Sequence, residues 1–192
     1  MELYGEIKML LEKSKTCVIV VNMQLELVPL LVNGTQLLTD CVWMADLCQD
    51  IDIPVVVIEQ KKLGDGSAAL KEKAGDAPYF EKDFFDMTCH EQIKQALLAT
   101  GAEQFVLCGG ETHVCLYQSA MGLKALGKSV YVMADVSSAR NQIDQDYGLE
   151  RMRSDGIALI TKEMFFFELQ RNSELPNYLS LALKFLDGRY IR

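Results

Sequence analysis

The sequence has no CxxC pair and only two histidines, His90 and His113. No HxxxH, DxH or mixed Cys/His spacing accompanies them, so neither a zinc centre nor another bound metal is expected. No glycine-rich dinucleotide fingerprint, P-loop or G-x-S-x-G elbow is present. A nucleotide cofactor and a serine nucleophile are thereby set aside, and no cofactor is expected. No apolar run approaches the roughly 20 residues that span a bilayer, and there is no signal-peptide core, so no membrane partner is expected. Positive charge is scarce: 19 Lys and Arg stand against 27 Asp and Glu, a formal net charge of −8. That balance argues against nucleic acid and anionic lipid, since both reward basic patches.

What is present suits an ordinary globular chain. With 192 residues, 49% hydrophobic and 24% charged, a full core can be buried in one domain spanning 1–192. Six cysteines fall at 17, 41, 48, 89, 108 and 115, most of them on apolar stripes. Reduced, buried thiols sit this way in intracellular proteins, and a cytoplasmic location is expected. Residues 1–15 mix Glu2, Glu6 and Glu12 with lysines and lack arginine. They read as an amphipathic lead-in helix, not a transit peptide.

Continuous apolar runs predict strands over Cys17–Val21, Val55–Ile58, Phe105–Cys108, Val130–Asp135 and Ile157–Ile160, with a short extended piece over Pro78–Lys82. Helical patterns lie between them, at about 35–50, 68–73, 88–99, 115–127, 144–154 and 162–169, with a C-terminal helix within 174–192. Alternation of this kind predicts a parallel sheet covered by helices on both faces, joined by right-handed crossovers. Its ligand site belongs at the carboxyl ends of the strands. Three polar strand ends meet that description: Asn22, Glu59-Gln60 and the turn Gly109–Cys115.

Cys115 is the leading chemical candidate. Thr112 is a plausible N-cap, which would make Cys115 the third residue of a helix carrying Leu116, Ala120 and Leu123 on one face. A thiol there meets the positive end of the helix dipole and unpaired N–H groups, and both favour the nucleophilic thiolate. The competing reading is one more small buried hydrophobe. His113 has a suitable side chain for a general base, but residues two apart at a helix start point in different directions, so a hydrogen bond holding the turn is the alternative. Glu59 could accept a substrate N–H or simply face water. Lys82 could be a solvated lysine and Asn22 a turn former.

Taken together, four stretches resemble the isochorismatase-like cysteine hydrolases. Val18-Ile19-Val20-Val21-Asn22-Met23-Gln24 resembles that family's first-strand motif, and Gly109-Gly110-Glu111-Thr112-His113-Val114-Cys115 its nucleophile turn. Val132–Arg140 and the helix at Leu149–Arg153 are similar to later family segments, so the match runs from about Thr16 to Leu169. Isochorismatase-domain proteins of uncharacterised substrate fit better than nicotinamidases, whose metal-ligand DxH pattern is absent. The resemblance implies a Rossmann-like three-layer α/β/α sandwich with six parallel strands and an Asp-Lys-Cys triad. Cys115 matches the nucleophile and Lys82 the lysine. A non-proline cis peptide shaping the oxyanion hole would fall between Gly110 and Glu111, and Gln24, Glu59 and His113 would line the substrate.

The aspartate position of that triad is Asn22 here. A neutral amide cannot take the thiol proton, so hydrolysis of a small amide or ester through a covalent Cys115 intermediate is expected to be weakened. The alternative is a pocket protein for binding or assembly, descended from the hydrolase. Some kinetoplastid mitochondrial relatives carry a ribonuclease label, which leaves RNA processing as an outside reading and the mitochondrion as the alternative compartment. The resemblance also implies a homo-oligomer, a dimer or a larger even assembly, acting on a small-molecule substrate.

Overall fold

The computed structural model describes residues 10–186. Most of the expected lead-in helix lies outside them, as does the end of the C-terminal helix; of the first, a single 3-10 turn at Lys13–Lys15 is described.

Six strands form one sheet: β1 Thr16–Val21, β2 Val55–Gln60, β3 Tyr79–Lys82, β4 Gln104–Gly110, β5 Ser129–Ser138 and β6 Ala158–Ile160. Their order is β3-β2-β1-β4-β5-β6, and every pairing is parallel. The chain therefore starts mid-sheet, winds outward to one edge, then returns to build the other. The reversal falls between β1 and β4, where a doubly wound sheet opens a crevice at its carboxyl edge.

Among the described residues, seven helices cover the sheet: α1 Gly34–Asp50, α2 Ala68–Ala74, α3 Glu91–Ala99, α4 Tyr117–Ala125, α5 Gln142–Ser154, α6 Lys162–Gln170 and α7 Tyr178–Phe185. Side chains alternate across a strand, so each one feeds two cores. Val18 and Val20 of β1 pack with Leu37 and Met44 of α1 and with Phe165 and Phe166 of α6. Cys17, Ile19 and Val21 pack on the other face with Leu97 of α3, Ala120 and Leu123 of α4 and Met152 of α5. All six β1 residues are buried, as a largely β-branched run in a central parallel strand requires.

Three local readings differ from the sequence expectation. β4 continues through Gly109 and Gly110 in place of turning there, and β5 continues through Ser137 and Ser138. Gly109 stays paired with both Val21 and Ser137, at φ 109°, and an added Cβ would stand 2.1 Å from the Val21 carbonyl oxygen. Only glycine permits so close a strand approach at that φ. The expected helix 88–99 is split into a 3-10 turn at Met87–Cys89 and α3, because His90 between them is extended.

Candidate active site

Cys115 sits in a π-helical turn, Thr112–Leu116, that runs on into α4. Leu116 N donates to the Glu111 carbonyl, five residues back. Glu111, not Thr112, occupies the capping place, and the Thr112 hydroxyl is buried without a hydrogen-bond partner. Single π turns recur at functional sites because the wide ring displaces one residue from the regular helix surface. The peptide bond from Gly110 to Glu111 is cis. The Glu111 carboxylate is held by Arg140 Nε at 2.8 Å.

Lys82 closes β3 and is wholly buried. Its Nζ donates to Cys115 Sγ at 3.3 Å and to Gln60 Oε1 at 2.5 Å. Among the described residues, no carboxylate lies within ion-pair distance of that nitrogen. Burial lowers the Lys82 ammonium below its ordinary 10.5; attraction to Cys115 and, more weakly, to Asp86 opposes the shift. Cys115 is 4% exposed and packs in the same core layer as Val56 and Ile58.

In the sequence Gln60 is marked only as half of the polar strand end Glu59-Gln60, with no chemical role of its own. It shares strand parity with Val56 and Ile58, so it stands on the Cys115 face of the sheet. Its register partner is Lys82. Glu59, one residue earlier, shares parity with Val57 and faces the opposite core. There its Oε1 is buried and unpartnered, an added Cβ at Gly66 would stand 1.9 Å from it, and burial raises its pKa while Lys71 opposes.

Asn22 follows β1 at φ 55° and is 2% exposed; its backbone N donates to Ile58 O, and its Oδ1 has no partner in the protein. Asparagine tolerates this left-handed conformation better than most residues. Gln24 spends its amide inside the fold. Nε2 donates to the carbonyls of Gln60 and Gly64, at 2.9 and 2.8 Å, and Oε1 accepts from Gln60 N at 2.7 Å. Both amide hydrogens are thus taken, which leaves none for a ligand. His113 lies in the π turn with Nε2 4.0 Å from Asp144, and Nδ1 is buried and unpartnered. The polar partners of the thiol are Lys82 and Gln60, not His113. Among the described residues, no group of three His, Cys, Asp or Glu is arranged to hold a metal.

The fold and these contacts define a class: a doubly wound α/β protein with a cysteine–lysine pair at the switch point of its sheet. Within that class the chain belongs to the isochorismatase family, whose isochorismatase domain matches residues 16–164. Isochorismatase domain-containing protein 1 of Danio rerio is 35% identical over 129 residues, 67% of this chain. That stretch spans 46% of the relative, under half its length. The structure of the MAR1 ribonuclease from Caenorhabditis elegans is similar at 26% identity and a TM-score of 0.86, covering 93% of each chain. The YcaC gene product of Escherichia coli, described as an octameric hydrolase of unknown specificity, shares the fold at 24% identity and a TM-score of 0.87. That likeness covers 95% of this chain and 94% of the other.

Proposed function

We propose that the protein is a cysteine hydrolase of a small amide- or ester-type molecule, slowed by the amide at position 22. The observation that carries the reading is Lys82 Nζ at 3.3 Å from Cys115 Sγ, both buried at the strand ends. In this reading the thiol proton passes to Lys82 as Sγ attacks the substrate carbonyl carbon. Backbone N–H groups of the turn after Gly110 stabilise the oxyanion. Collapse expels the amine or alcohol, which takes a proton from Lys82, and water then hydrolyses the thioester. Asn22 supplies neither base nor acid to these transfers, and this supports a low rate.

The test is turnover of a panel of small amides and esters by the protein and by Cys115→Ser. Rapid-quench mass measurement should show an acyl adduct on Cys115. No adduct and no turnover across the panel would sink the reading. The second reading, a binding or assembly protein that keeps the pocket, is favoured by the uncharged, buried Asn22. A net charge of −8 weighs against RNA as the substrate and leaves it an outside reading. A homo-oligomer is part of the proposal: Leu179 and Leu183 of α7 are 56% and 62% exposed, an apolar face that a second copy would cover. No described helix is long and apolar enough to cross a membrane.

A further inference from the structure

We propose that Gln60 is a positioning residue for Cys115, its neutral amide oxygen holding the Lys82 amine against the thiol. The meaning of this role rests on the hydrolase reading, but its test does not.

Every polar group of Gln60 is committed, and each commitment has one direction. The backbone is clamped by the Gln24 amide, which accepts from Gln60 N at 2.7 Å and donates to Gln60 O at 2.9 Å. In the side chain, Nε2 donates to the Asp83 carbonyl at 3.1 Å. A carbonyl oxygen can only accept, so the amide nitrogen must face Asp83 and the amide oxygen must face away from it. It is this oxygen that accepts from Lys82 Nζ at 2.5 Å. The register pairing of Gln60 with Lys82 brings the two side chains level on one face. Cys115 Sγ completes a triangle, 3.3 Å from Nζ and 3.9 Å from Oε1.

The charge of this third corner decides what the pair can do. A neutral oxygen accepts from Nζ whether the amine carries two protons or three. Moving the thiol proton to Nζ then creates one opposite-charge pair, and moving it back, or on to a leaving group, removes that pair. A carboxylate in the same place would hold the ammonium permanently and repel the thiolate. Lys82 can therefore act in both directions, while Gln60 keeps it in place during the exchange. In the absence of an acid at position 22, this makes Lys82 the proton carrier of the site.

The experiment compares wild type, Gln60→Glu and Gln60→Asn by the pH dependence of iodoacetamide alkylation. Adducts are quantified on the Cys115 peptide, so that the exposed Cys89 does not contribute. Gln60→Glu adds negative charge about 4 Å from Sγ. The alkylation midpoint should rise by about one pH unit or more, a tenfold loss of thiolate at any pH below it. Gln60→Asn withdraws the oxygen by about one carbon–carbon bond and should raise the midpoint by less. Circular dichroism run alongside confirms that each variant is folded, and either folded variant alone decides. Midpoints equal to wild type would overturn the proposal. Absent turnover in all three proteins, with the midpoint moved, would sink the hydrolase reading and leave Gln60 in its role. Turnover with unmoved midpoints would do the reverse.

Discussion

Gln60 and Lys82 end adjacent parallel strands in register, and the amide oxygen of the first lies 2.5 Å from the amine of the second. Lys82 is wholly buried, and among the described residues its side-chain partners are this amide and the Cys115 thiol. A buried amine without a carboxylate makes the protonation of the thiol beside it the variable that matters.

Thiol labelling should separate the cysteines cleanly. Burial pushes Cys17 up to about 12 and holds Cys41 and Cys48 well above 9.0. These three stay protonated and inert near neutral pH. Cys115 and surface Cys89 should take the label, and Lys82→Met should slow Cys115 about tenfold or more while Cys89 is unchanged. Peptide mass spectrometry reads these five rates beside that of the sixth cysteine, buried Cys108.

Asn22→Asp is expected to fold normally, because aspartate shares asparagine's size and its tolerance of φ 55°. The new carboxylate should raise amide hydrolysis above wild type, measured as released amine. No gain with any amide would favour the pocket protein over the enzyme. Asn22→Val should instead cost about 1–3 kcal/mol from left-handed strain at a β-branched residue, read by urea unfolding.

Gly109→Ala should be severe. Left-handed strain and overpacking against the Val21 carbonyl each cost about 1–3 kcal/mol, so a loss of about 3 kcal/mol or more is expected. Gly127→Ala is the control: φ is 77° and no atom lies within 4 Å of the added carbon. It should cost about 1 kcal/mol from strain alone. Equal urea midpoints for the two variants would contradict the close-approach argument.

Glu59→Gln should stabilise the protein at neutral pH. Burial raises the folded-state pKa of Glu59 above 4.5, so between 4.5 and that folded value the native state holds more protons than the unfolded chain. Stability from this group is present below pH 4.5 and is lost as pH rises through the folded value. The amide has no charge to bury, so the variant should melt higher near pH 7 and show a flatter slope above pH 4.5. A melting curve that tracks wild type at every pH would show that the carboxylate bears no such penalty.

The candidate site was legible in part. Cys115 is marked locally, by a strand, two glycines and a helix start within eleven residues. Lys82 and Asn22 became visible through family resemblance, since a lysine after Tyr79-Phe80 and an asparagine after a strand have common solvent or turn roles. Gln60 carried two signals, its place at a polar strand end and its two-residue spacing from Ile58 and Val56, and the second has no meaning until the sheet faces are assigned. Gln24 reads in the sequence as a substrate contact, and in the fold its amide is bonded to the backbone of Gln60 and Gly64. Glu59 and Gln60 are chemically similar neighbours whose places are opposite.

By itself the sequence determined the alternation of buried strands and amphipathic helices. A run such as Cys17–Val21 is satisfied only when covered on both faces, and the helical stripes supply that cover. It also determined which residue could be the nucleophile. Tertiary structure decided what the Cys115 thiol meets. Parity and register are long-range properties, set by the pairing of β2 with β3 and by the packing of α4 on the sheet. They place Gln60 beside Lys82 across 22 residues, and Lys82 beside Cys115 across 33. No local pattern encodes either distance, because each arises from how separate strands align once their apolar faces are buried.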